Sequence, residues 1–146
     1  VACAPATDAT PPAVFSGLEF VKRIATGHSD EDLRAVFADP RVTTHLTMAG
    51  VAGTDVLTGD GVGESVNDRI PLVMITRNGA RVQFAAVIEP VRTGIAPAVS
   101  AVHLTQNDTG LVAAIRNGEH NETVTWSPDG KFMVTQDNAV VLTAAE

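Results

Sequence analysis

Residues 69–91 read RIPLVMITRNGARVQFAAVIEPV, and the reading of this stretch decides the fold. Two apolar runs, 72–75 and 82–88, flank Asn78-Gly79. Asn-Gly is the strongest short-range hairpin signal, because a type I′ turn needs φ > 0 at both central residues. A two-residue loop there predicts Arg77 opposite Ala80, Ile75 opposite Val82 and Val73 opposite Phe84. One face of the pair is then wholly apolar (Val73, Ile75, Val82, Phe84) and the other mixed (Leu72, Met74, Thr76, Arg81, Gln83, Ala85). Such a pair belongs in the middle of an antiparallel sheet, with Phe84 at the centre of the buried face. Glu89-Pro90 should end it, since proline has no N–H to give a ladder.

Further strands are expected on both sides of this pair. Towards the C-terminus, 98–105 places Val102 and Leu104 on one face beside Ser100, with Val99, Ala101 and His103 on the other. Strands at 111–116, 122–126, 131–136 and 139–143 follow, separated by the turn residues Asn117-Gly118, Ser127-Pro-Asp-Gly130 and Asp137-Asn138. In SPDG, Pro holds the second turn position and Gly the fourth, as a type I turn prefers. Towards the N-terminus, 42–48 (VTTHLTM) alternates cleanly and reads as a half-buried strand. Residues 54–58 form a short partner strand, 59–67 (GDGVGESVN) a loop, and 15–26 a strand. Ser29, followed by three acidic residues before Leu33, Val36 and Phe37, has the form of a helix start. It predicts a short helix over 30–38 ended by Pro40, with a bent strand as the alternative. Roughly nine or ten short strands at 8–12-residue spacing imply an all-β chain. The expected fold is an antiparallel β-sandwich or two-layer sheet with at most one short helix, forming a single domain over 14–146. Residues 1–13 (VACAPATDATPPA) read as a flexible linker or disordered lead-in, or simply as a frayed terminus.

Composition narrows the function classes. Of 146 residues, 45% are apolar and 18% charged, and no run of 18 apolar residues exists to span a membrane as a helix. The net charge of −7 disfavours nucleic acid and anionic membrane surfaces as partners. It leaves room for an acidic polysaccharide held by a local arginine cluster. The single Cys3 has no intrachain partner, so cysteine usage leaves the compartment open. A chain that begins at Val1 with no leader is expected to be processed or a piece of a longer protein.

Little of the sequence speaks directly of chemistry. Gly59-Asp-Gly-Val-Gly63 resembles part of a phosphate loop but lacks the Lys-Ser/Thr end and a following helix, which is what binds the anion. The histidines (His28, His45, His103, His120) form no H-x-x-x-H or H-x-H pair. A zinc site would have to assemble across strands, for instance from His45 and His103 with an aspartate; surface or cross-strand histidines are the plainer reading. There is no tyrosine and no G-x-S-x-G nucleophile elbow. Trp126, the only tryptophan, either stacks a sugar ring with its flat apolar surface or fills core. Trp126, His103 and Arg81 are the candidate carbohydrate-contacting residues; no catalytic residue, metal ligand or cofactor is assigned. Asn107-Asp-Thr109 and Asn121-Glu-Thr123 match the glycosylation acceptor pattern, which arises readily by chance in turn-rich sequence.

The string R-I-P-L-V-x-x-x-R-N-G-x-x-V-x-F-A-A-V-I-E-P, followed by P-A-V-S-A-V-H-L, resembles the late β-sheet region of heparinase II/III-like polysaccharide lyases. The upstream segments LEFVKRIATG and TTHLTMAG also look like that region, and the likeness runs over about residues 15–143. Its motifs are structural. Those enzymes cleave acidic polysaccharides by β-elimination: a base removes the proton beside a uronate carboxylate, a neutraliser stabilises the enolate, and an acid protonates the leaving oxygen. The family's catalytic Asn, His and Tyr lie mainly in an α-helical toroid, and its zinc ligands on earlier strands. No position of this chain matches those motifs, so none is carried over. The resemblance implies a C-terminal β-sandwich module that supports a catalytic toroid of the same parent chain, in a secreted or periplasmic bacterial setting. A stand-alone carbohydrate-binding or adaptor module is the alternative.

Overall fold

A computed structural model describes residues 4–5, 18–65, 67–108 and 110–144. The linker expected over 1–13 lies outside the described residues, apart from the pair Ala4–Pro5. Every element is a strand except one 3-10 turn, Leu18–Phe20, and all pairing is antiparallel. The chain is therefore all-β, as the turn spacing predicts. It divides into two compact units, one formed by 1–30 and 51–82, the other by 31–50 and 83–146.

The first unit is a four-stranded sheet in the order β1 (Ala4–Pro5), β2 (Lys22–Ser29), β5 (Thr54–Val62), β6 (Arg69–Arg77). Its buried residues include Leu18, Thr54, Val56 and Leu57. Here the structure corrects the reading of residues 69–91. β6 does not turn back at Asn78-Gly79. Its hairpin partner is the preceding strand β5, with Val56 opposite Ile75, Leu57 opposite Met74 and Thr58 opposite Val73. Neither Asn78 nor Gly79 has a positive φ, so the type I′ turn is not made there. The real hairpin closes between Val62 and Arg69, fastened by Gly63 N–H donating to the Asp68 carbonyl at 3.0 Å. Residues 59–62, read from sequence as loop, are the second half of β5. A Cβ on Gly59 would lie 2.7 Å from Val21 Cγ1 and 2.9 Å from the Lys22 carbonyl oxygen. That glycine lets β2 approach β5 and has no bearing on phosphate.

The second unit is a sandwich of two sheets. One has the order β3 (Leu33–Ala38), β4 (Val42–Met48), β7 (Ala86–Arg92). The other runs β8 (Val99–Asn107), β9 (Gly110–Asn117), β10 (His120–Trp126), β11 (Phe132–Gln136), β12 (Ala139–Ala144). Residues 33–38 form a strand, the alternative weighed against a helix: Leu33 to Ala38 pair in unbroken register with Met48 to Thr43. Pro90 sits inside β7 and does not end it, which is permitted because β7 is an edge strand; Pro71 in edge strand β6 is tolerated for the same reason. The core between the sheets is Ala49, Val99 and Val102, with Ala85, Val87, Leu104 and Ile115 packed round it. Phe84, expected at the centre of a buried face, is 47% exposed in the irregular segment 82–85 before β7.

Val99 and Val102 are both buried, although strict alternation would put them on opposite faces. The ladder to β9 skips Ser100 between Val99 and Ala101. This bulge turns Val99 inward with Val102. The β9–β10 loop is Gly118-Glu119 with Gly118 at φ 59, a conformation glycine adopts at no steric cost. SPDG makes the expected turn, Gly130 N–H donating to the Ser127 carbonyl at 3.0 Å. Asp137 and Asn138, at φ 48 and 69, join β11 to β12 with Gln136 opposite Ala139. This is the I′ geometry expected at Asn78-Gly79, sixty residues downstream.

Candidate functional site

Register across the five-stranded sheet sorts its side chains into two faces. Opposed residues of an antiparallel ladder share a face. Val102, Leu104 and Ile115, which pack on the three-stranded sheet, therefore share a face with Leu111, Val124, Trp126, Phe132, Val134 and Leu142. His103, Thr105, Val112, Ala114, Thr123, Thr125 and Thr135 lie on the other face. The three-stranded sheet covers the β8–β9 side of the inner face. The β10–β12 side is open, with Trp126 47% and Leu142 53% exposed.

Trp126 is thus a surface residue on an apolar shelf. Its cross-strand neighbour Phe132 meets it edge to face, with ring centroids 6.1 Å apart and planes at 70°. Such a pair fixes one ring against the other and leaves a broad, flat apolar surface towards solvent. Below it the turn 127–131 carries the local charge. Lys131 Nζ donates to Asp129 Oδ2 at 2.5 Å, and Ser127 Oγ also donates to Asp129. These bonds, Lys131 first, hold the Asp129 carboxyl down at about 2. At the opposite end of the same face Glu122 is half-buried and accepts from Asn117 Nδ2 at 3.0 Å.

Of the three candidate sugar contacts, the structure separates Trp126 from His103 by the thickness of one sheet and places Arg81 in the first unit. Trp126 lies on the inner face, His103 is exposed on the outer face of the same sheet, and Arg81 is exposed just after β6 in the other unit. The hypothetical zinc pair is separated too. His45 shares the β4 face of Thr47 and, across the ladder, Val87, which packs on the five-stranded sheet; His103 points off that sheet's far side. Among the described residues no group of three His, Cys, Asp or Glu could hold a metal ion. In the second glycosylation match Asn121 is exposed and its Oδ1 accepts from Arg116 Nη1 at 2.9 Å, while the Thr123 and Thr135 hydroxyls hydrogen-bond each other.

Two histidine–carboxylate clusters escaped sequence reading. His28 Nδ1 lies 2.9 Å from Asp55 across the β2–β5 ladder, and its Nε2 lies 3.3 Å from Asp30. Asp30 in turn accepts the Gly53 N–H at 2.9 Å. The bond to Asp55 is the main reason the His28 pKa is raised. His120 Nδ1 lies 2.6 Å from Asp137, which also accepts the Asn121 N–H at 2.9 Å. That N–H, and then His120, lower the Asp137 pKa. Both clusters pin neighbouring strand ends. Their signal is pairing register, invisible in sequence spacing of 27 and 17 residues. No helix among the described residues is long and apolar enough to cross a membrane. Comparison with known proteins found no match among protein families, curated proteins or solved structures.

Proposed function

We propose that this chain is a non-catalytic accessory module that contacts carbohydrate through the open half of its five-stranded sheet. The observation that carries the reading is Trp126, 47% exposed and braced by Phe132. A pyranose ring has an apolar C–H face, and a fixed, flat indole is the side-chain surface that matches it. The resemblance to heparinase II/III-like polysaccharide lyases extends the proposal to a parent enzyme and an acidic polysaccharide. In that reading this module walls or supports a cleft whose base, acid and neutraliser come from elsewhere in the parent chain. The stand-alone binding module remains the second reading, and the same exposed Trp126 supports it.

Calorimetric titration with uronate-containing and neutral oligosaccharides tests this. Wild type should bind weakly, and Trp126→Ala should lose binding, since stacking contributes on the order of 1 kcal/mol or more. Preference for uronate chains favours the lyase-module reading, and equal binding of neutral chains the stand-alone one. Heat with neither set, or heat unchanged in Trp126→Ala, would refute the sugar-contact proposal.

A further inference from the structure

The open inner face is apolar at one end and polar at the other. Trp126 and Phe132, then Val124 and Val134, are followed along the ladder by Glu122 opposite Gln136. A carboxylate is costly on a sheet face that a valine would fill, yet Glu122 is half-buried there. Its Oε1 accepts from Asn117 Nδ2 at 3.0 Å and from Gln136 Nε2 at 3.4 Å. Both bonds fall on that one oxygen, and among the described residues Oε2 has no protein donor. No buried side-chain polar atom among them lacks a partner, so Oε2 reaches solvent. Each amide also keeps a second N–H. The polar end thus offers a carboxylate oxygen beside two amide groups, on the face that carries the exposed indole.

We infer, resting on the Trp126 sugar contact, that Glu122 with Asn117 and Gln136 is a second contact for the same sugar chain and holds a neutral unit by its hydroxyls. A hydroxyl both donates and accepts, so it gives its proton to Oε2 and takes an amide N–H. The bond to a carboxylate is charge-assisted and stronger than a neutral one. A uronate carboxylate in that place would meet Glu122 as a like charge, and β10, β11 and β12 carry no lysine or arginine to offset it. The nearest charges are engaged elsewhere. Lys131 holds Asp129 beyond Trp126, His120 holds Asp137 past Glu122, and Arg116 bonds Asn121 on the outer face. Trp126 and Glu122 stand four residues apart on one strand, about 13 Å, which is longer than one pyranose ring. The ligand is therefore an oligosaccharide lying along β10. In a polymer that alternates uronate with a neutral sugar, the neutral unit takes the Glu122 end, which fixes the register of the chain.

Calorimetric titration of the full chain with two tetrasaccharides tests this, one alternating uronate and N-acetylhexosamine, the other uronate throughout. Wild type should bind the alternating chain roughly tenfold more tightly. Glu122→Ala should weaken that binding about tenfold, the loss of a hydrogen bond to a charged group. Glu122→Gln keeps the shape of the side chain and removes its charge, so it should bring the two affinities together with an unchanged circular dichroism spectrum. Equal wild-type affinities, or a preference that survives in Glu122→Gln, would overturn the inference. So would Glu122 variants that lower the melting temperature and leave both affinities unmoved, since the cluster would then only fasten β9, β10 and β11. In each of these cases binding that is lost in Trp126→Ala keeps the indole contact standing. No heat with either chain, or heat unchanged in Trp126→Ala, would overturn that contact and the inference with it.

Discussion

At the scale of single residues, burial and register set the cost of each change. Val102 is 1% exposed at the centre of the sandwich core, and Val102→Ala should cost on the order of 2 kcal/mol in urea melts. Phe84, 47% exposed, should cost about 1 kcal/mol when truncated, although residues 69–91 taken alone make it the anchor of the fold. A larger loss at Phe84 than at Val102 would return the buried face to that segment. His28 gives a pH signature. Its folded pKa lies above the ordinary 6.5 because of Asp55 first and Asp30 after it. The stability it adds is full below about 6.5 and fades as pH rises through the folded value. In an NMR titration Asp55→Asn should lower the His28 pKa; an unchanged pKa would remove the cross-strand bond. Asp129 works in the opposite sense. Its carboxyl is held at about 2 against 3.8, so what it contributes is present above about 4 and lost as acid takes the pH down to about 2.

At the scale of elements, most strands and the C-terminal hairpins were legible, while the partner of β6, the end of β5 and the strand at 33–38 were not. Alternation marks 42–48 as half-buried, and β4 occupies those residues. SPDG and Asn117-Gly118 form turns because local backbone requirements decide a short loop. Asn78-Gly79 carries a stronger local signal and makes no hairpin, because nine cross-strand pairs between β5 and β6 outweigh one favourable dipeptide. Asp137 and Asn138 accept the left-handed geometry in its place. A valine there would meet the left-handed penalty of about 1–2 kcal/mol, so Asn138→Val should destabilise by that amount. Gly79→Ala should stay within about 0.5 kcal/mol. Thermal melts of the two variants check this, and the reverse order would move the I′ turn back to residue 78. The phosphate-loop likeness of 59–63 fails for the same non-local reason: residues 59–62 are strand, and Gly59 lies against Val21 and Lys22. The helix start at Ser29 fails because Leu33 to Ala38 find a ladder with β4.

At the scale of the whole molecule, the all-β class follows from turn spacing alone, while the site depends on which face of which sheet remains uncovered. Sequence alternation put Trp126 and Val124 on one face of a strand, and that grouping holds. It could not say that the three-stranded sheet stops short of them, nor that His103 lies on the opposite face of the same sheet. Those facts come from pairing order and from the bulge at Ser100. The central claim is that the working surface is the open half of the inner face. Amide and indole chemical-shift mapping during a titration with uronate oligosaccharide tests it most directly. The account predicts shifts confined to the Trp126 indole and to Leu111, Val124, Phe132, Val134 and Leu142. Shifts centred on His103 and the outer face, on Arg81, or nowhere at all would contradict it.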